Sequence, residues 1–242
     1  MEQSFTLITI EAPLEESAQT ASECAKTRKE LAEALGHQSR AVREYTSQVL
    51  TKLASADVTL LQDFANDVID ALNRPESLTR YSMIEIIGEL AKSDSKIVTN
   101  AYEPLQDCLY DEESGTVRLY AFRVLARYGA TGPARSVKVW PDLSMALRSF
   151  HGDPEFMAMM SELIAMLGGR SDVSVKESAV ELFAFDAEHA RGDLRKKAEI
   201  ISSFAPEVLA RINKANEEKA RAATAAKEAA KAAAENEDEE EE

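Results

Sequence analysis

The side chains best suited to chemistry are few and scattered. His37, His151 and His189 lie far apart, and none belongs to an HExxH pair or a His/Cys cluster, so the convergent ligands of a zinc site are not encoded. Cys24 and Cys108 show no CxxC spacing and are expected as buried, reduced thiols inside helices. There is no glycine-rich phosphate loop, no GxSxG turn and no kinase-type set. Carboxylates abound, but on solvated helix faces they do not single out an acid/base pair. The sequence therefore implies no catalytic residue, no cofactor and no metal site.

One local reversal of charge does stand out. Lys and Arg number 28 against 43 Asp and Glu, a net charge of −15 over 242 residues. Yet from Ser114 to Trp140 there are Arg118, Arg123, Arg127, Arg135 and Lys138 and no acidic residue. Arg123 and Arg127 are four apart, so on a helix they share a face. A duplex needs net positive charge to displace its counterions, which this chain lacks. The patch suits carboxylates of a protein or peptide instead.

What must position these residues is helical. Nine Gly and seven Pro are too few for a turn-rich β chain. Apolar residues recur with helical period in pairs of segments, at about 14–55, 57–93, 94–130 and 135–169, with a looser pair at 172–212. The residues closing the first helix of each pair, Leu35, Leu72, Leu109 and Leu147, follow at intervals of 37, 37 and 38. Those closing the second, Leu53, Leu90, Tyr128 and Leu167, follow at 37, 38 and 39. Between them Val49/Leu50, Ile86/Ile87, Val124/Leu125 and Leu163/Ile164 hold one register, and Thr46, Met83, Ala121 and Met160 fall in one core column. A lone helix pair cannot bury its apolar stripe, so consecutive pairs must stack into a solenoid.

The second helices open with Val42-Arg43, Thr79-Arg80 and Val117-Arg118, the fourth departing with Phe156-Met157. On these residues, over Leu14 to Gly169, the chain resembles the HEAT-repeat, armadillo-like family, although the aspartate that family carries shortly before the arginine is mostly missing. The resemblance implies an all-α, right-handed α-solenoid of about five hairpins, with second helices lining the concave side and the arginine column tying neighbouring repeats. Outward positions on those helices are then Glu44, Gln48 and Lys52, Tyr81, Glu85 and Glu89, Arg123 and Arg127, and Glu162 and Met166. The expected function is a non-catalytic scaffold binding a protein or acidic peptide, with Arg118, Arg123 and Arg127 as anchors and Tyr81, Tyr120 and Met166 as apolar contacts. The alternative opened by the same resemblance is a DNA glycosylase-like or bilin lyase-like enzyme. Glu85, Glu89 and Glu162 in the groove disfavour it.

The ends differ from the body. Residues 1–13 form an arm whose apolar run, Phe5 to Ile10, lacks the basic flank of a signal peptide, and no stretch approaches the ~20 apolar residues of a membrane span. A cytoplasmic protein is expected. Residues 213–242 are an Ala/Lys/Glu tract, expected as a helical extension that ends disordered in Glu237 to Glu242 and either aids solubility or folds back on the basic patch. Trp140 is expected at the start of a helix before Pro141, Met157 and Met166 as exposed, and Gly168-Gly169 as a helix C-cap.

Overall fold

The helical period of the sequence is realised throughout. The computed structural model describes residues 12–206 together with Ala210, Lys214, Glu218, Arg221 and Ala222, and among these there is no strand. The Phe5 to Ile10 segment and the acidic end lie outside the described residues. The chain divides into two compact units between Asp172 and Val173.

The first unit is an all-α solenoid. Its first hairpin comprises α1 (Leu14–Glu23), α2 (Ala25–Ala34) and α3 (Arg40–Asp57). The second has a 3₁₀ segment (Val58–Phe64), α4 (Ala65–Asp70) and α5 (Ser77–Leu90). The third has α6 (Lys96–Asn100), α7 (Tyr102–Leu109) and α8 (Gly115–Gly129), and the fourth α9 (Pro133–Ser149) and α10 (Phe156–Gly168). The long second helices α3, α5, α8 and α10 pack side by side as one layer, and α1, α7 and α9 pack on it.

The columns read from the sequence point inward. Leu35, Leu72, Leu109 and Leu147 are buried, as are Leu53, Leu90 and Leu167, with Tyr128 half-buried. Thr46, Met83, Ala121 and Met160 are fully inaccessible. Each hairpin thus covers the apolar stripe of the next, as stacking requires.

The first helix of a hairpin departs from expectation. Leu14 to Gly36 is not one helix: it breaks at Cys24, whose backbone is extended (φ −128°, ψ 110°). Similar breaks fall at Phe64 and Ala101. A break orphans the last carbonyls of the preceding helix. At Cys24 the Arg28 guanidinium satisfies two of them, donating to the Ala21 and Ser22 oxygens at 2.8 and 3.1 Å. Conversely, α9 runs unbroken through Pro141, so Trp140 sits mid-helix rather than at a helix start. On its inner side α9 is tied to α7: the Tyr102 hydroxyl and the Gln106 amide donate to the two Asp142 carboxylate oxygens at 2.6 and 2.7 Å. Burial, with the adjacent carboxylate, pushes the Tyr102 hydroxyl pKa well above the usual range.

Gly169 is not a left-handed cap, since its φ is −84°. Its lack of a side chain serves a close approach. A Cβ there would stand 2.7 Å from the Ala130 carbonyl oxygen, which also accepts the Arg170 N–H at 2.7 Å and so joins the fourth hairpin to the third. Gly169→Ala is expected to cost about 1–3 kcal/mol by forcing that rigid contact apart. Urea unfolding with an unshifted midpoint would show instead that the loop yields freely.

In the second unit, α11 (Val173–Leu182), α12 (Ala184–His189) and α13 (Gly192–Ser202) bury Val175, Ala179, Phe183, Ala198 and Ile201. Gly192 takes φ +63°, which a side chain would resist. Asp193 lies in the first turn of α13 and pairs with Lys196 at 2.9 Å.

Candidate functional site

The basic column of the sequence resolves into two populations. Arg43 donates through Nη1 to the His37 and Gln38 carbonyls just before its own helix, at 2.6 and 2.9 Å, and through Nε and Nη2 to Glu76 at the head of the next one. Arg80 repeats the pattern with the Arg74 and Pro75 carbonyls, both at 3.0 Å, and with Asp111. Arg118 donates to the Asp111 carbonyl at 2.7 Å and to Glu155 at 2.6 Å, reaches Asp153 at 3.4 Å, and covers the Phe150 ring. Each guanidinium thus knots two successive repeats. Arg43 and Arg118 are 9% exposed, and the Arg43 guanidinium holds the Glu76 carboxyl below the usual carboxylate range.

Arg118 is therefore corrected from partner anchor to repeat tie, because its donors are committed inside the protein. Sequence reasoning missed the other half of the tie. The acids are present as Glu76, Asp111 and Glu155, but at varying distances ahead of the next repeat's second helix. Met166 is corrected too: it is 1% exposed. Gly129 leaves a gap in α8, and Met166 Sδ lies 2.9 Å from where a Gly129 Cβ would stand, so the methionine fills that gap instead of facing solvent. Met157 is only half-exposed.

Four of the predicted residues do come together, on α5 and α8. The Tyr81 and Tyr120 rings lie 5.5 Å apart at a tilt of 50°, and the Arg123 guanidinium lies 5.0 Å from the centre of the Tyr120 ring. Burial raises the Tyr81 hydroxyl pKa, helped by Tyr120 and Glu85. Arg123 Nε donates to Glu162 Oε1 of α10 at 2.6 Å, while Arg127 Nε stands 3.6 Å from Glu162 Oε2 with its side chain 55% exposed. Two cations share one carboxylate. Elsewhere on the layer Glu44 pairs with Arg40, Lys52 with Glu15 and Glu89 with Lys92, while the exposed Glu85 of α5 forms no ion pair among the described residues.

Two hollows open on the same layer. One, between α3 and α5, is lined by Thr51, Ala54, Ser55, Glu85, Ile86 and Glu89 and is largely polar. The other, of about 120 Å³, lies between the C-terminal turns of α5 and α8 and is almost wholly apolar.

The remaining reactive side chains are dispersed. Cys108 is buried near the Leu72 carbonyl, and desolvation pushes its thiol up to about 12. Cys24 is not buried as expected but half-exposed at the α1/α2 break, where hydrogen bonds from the Thr27 side chain and backbone lower its thiol pKa. His151 packs on Phe156 and His189 on Phe185. Among the described residues no group of three His, Cys, Asp or Glu side chains could hold a metal ion, and no helix is long and apolar enough to cross a membrane.

No protein-family model matches the sequence, and no curated protein matches it. Solved structures do match the fold. A designed armadillo repeat protein in complex with the peptide (KR)4 superposes with a TM-score of 0.60 at 16% identity, covering 81% of this chain and 95% of that one. A computationally designed armadillo repeat protein for modular peptide recognition gives 0.61 at 16% identity, covering 79% and 91%. A third designed armadillo repeat protein gives 0.59 at 15% identity, covering 81% and 96%. At these identities the likeness shows the fold: an armadillo-like, HEAT-like solenoid.

Proposed function

We propose that this chain is a non-catalytic cytoplasmic scaffold that binds an acidic peptide, or an acidic segment of a protein, across the α5–α8–α10 layer. Arg123 and Arg127 are the electrostatic anchors, and Tyr81 and Tyr120 supply the apolar contact. The observation that carries this reading is the sharing of Glu162 by two guanidinium groups. One cationic charge at the centre of the layer has no full counter-charge of its own, and an incoming carboxylate completes it. Arginine beside an aromatic face is also the composition that recurs at binding hot spots. Of the solved structures similar in fold, one is in complex with the basic peptide (KR)4 and another is designed for modular peptide recognition. Here the centre of the layer is itself basic, through Arg123 and Arg127, so the preferred peptide is acidic.

The test is fluorescence anisotropy with a labelled Glu-rich peptide. Arg123→Gln/Arg127→Gln is expected to weaken binding about tenfold or more and to flatten its dependence on salt. Equal affinity of the parent and the double variant would remove this surface as the site.

A further inference from the structure

The apolar hollow beside Arg127 has a composition that the peptide reading does not by itself require. Its floor is built from the absence of side chains. Gly88 and Ala91 are three apart on the last turn of α5 and face Val124 and Tyr128, four apart on α8. A Cβ at Gly88 would stand 3.2 Å from Val124 Cγ2, so glycine at position 88 lets α5 and α8 approach closely at the floor of the hollow. The mouth is framed by two cations. Lys92 is bound to Glu89 at 2.5 Å and Arg127 shares Glu162, with side chains 63% and 55% exposed. No carboxylate lines the hollow.

From this geometry we infer that the hollow is a socket for one aliphatic side chain of a peptide, next to a carboxylate that Arg127 binds. The inference rests on the peptide-binding reading and specifies the peptide's chemistry. Apolar walls offer water no partners, so an apolar group gains by replacing it. Size selects the group, because an apolar cavity of about 150 Å³ is what accommodates benzene. At about 120 Å³ this hollow takes Val, Leu, Ile or Met in preference to an aromatic ring. Charge selects the neighbour, since Lys92 is already paired with Glu89 while Arg127, which shares Glu162 with Arg123, is left to complement an anion at the mouth. That carboxylate comes either from an adjacent Asp or Glu or from the C-terminus of the peptide.

The experiment uses the full chain and two labelled Glu-containing peptides, one with a single internal Leu and blocked ends, the other ending in Leu with a free carboxylate. Each is compared with the same peptide carrying Ala or Phe in place of Leu. The Leu peptide is expected to bind about tenfold more tightly than the Ala peptide, from the apolar area it buries, and the Phe peptide to gain no such advantage. The tighter of the two Leu peptides identifies the source of the carboxylate. Ala91→Leu, which fills the hollow from within, is expected to bring the Leu peptide down to the affinity of the Ala peptide. Equal binding of Leu and Ala peptides to the parent chain overturns the socket, whatever the variant does. If those equal affinities still fall on Arg123→Gln, the socket fails and the peptide-binding surface stands; if no peptide binds, both fail.

Discussion

Arg118→Met is expected to lower the stability of the protein by about 3–5 kcal/mol, because it strands the buried Glu155 carboxylate without its cation. Glu155 is 8% exposed, and its carboxylate is held where Gly115 has no side chain, a Cβ there standing 2.6 Å from Glu155 Oε2. The carboxylate cannot reach water without disturbing the start of α8. In a chain of this length such a loss corresponds to roughly 10 °C or more in the thermal midpoint. The double variant Arg118→Met/Glu155→Leu is expected to recover most of it, since removing both charges removes the desolvation cost together with the attraction. The pair of measurements separates a structural tie from a partner anchor. An anchor would leave the Arg118→Met midpoint at the parent value and weaken peptide binding instead.

The same residue shows how far the sequence could be read. Val42-Arg43, Thr79-Arg80 and Val117-Arg118 announce the repeat, and the intervals of 37 to 39 place Thr46, Met83, Ala121 and Met160 in one core column, where they are found. Those features follow from periodicity, and a solenoid repeats its packing. What failed was the exposure of individual side chains. Met166 aligns with Arg127, yet one is buried and the other exposed, because whether a side chain turns inward depends on the gap its neighbour leaves, here at Gly129. The helix breaks at Cys24 and Phe64 carry no Gly or Pro to mark them, the one at Ala101 is marked by Pro104 in the first turn of α7, and Pro141, which should also break a helix, lies on the outer face of a continuous one. The carboxylate partners of the ladder were hidden for a related reason: Glu76, Asp111 and Glu155 sit on connections of different length, where no period applies.

Electrostatics divides the molecule by depth in a way that net charge conceals. The buried arginines are each matched to a carboxylate across a repeat junction and hold the stack together. The half-buried Arg123 and the exposed Arg127 of α8 lie one to three turns further along the same helix and share a single carboxylate. Arg123 also reaches across the junction to Glu162 of α10, so a binding effect of substitutions at Arg123 and Arg127 is to be read beside their thermal midpoints.

At the first junction the consequence is a dependence on pH. In the parent chain Arg43 lowers the Glu76 pKa, so this pair contributes stability above the unfolded carboxylate value of about 4.3, and the contribution is lost as pH falls through the lower folded value. Arg43→Met reverses the sign. Without the guanidinium, burial outweighs the backbone hydrogen bond and the Arg40 charge that still favour ionised Glu76, its pKa rises, and the ionised form becomes a penalty at neutral pH that protonation relieves. Arg43→Met is therefore expected to cost about 3–5 kcal/mol at neutral pH, with the gap to the parent narrowing steadily as pH falls through the raised pKa of Glu76 and then through the depressed one. Arg40, paired with Glu44 at 2.9 Å, stays charged over this range and lowers the Glu76 pKa in both proteins. Urea unfolding of parent and variant from neutral pH down to about pH 4 reads the gap directly. A difference that stays constant over that range would mean that Arg43 contributes packing rather than charge, and that Glu76 is solvated once its partner is gone.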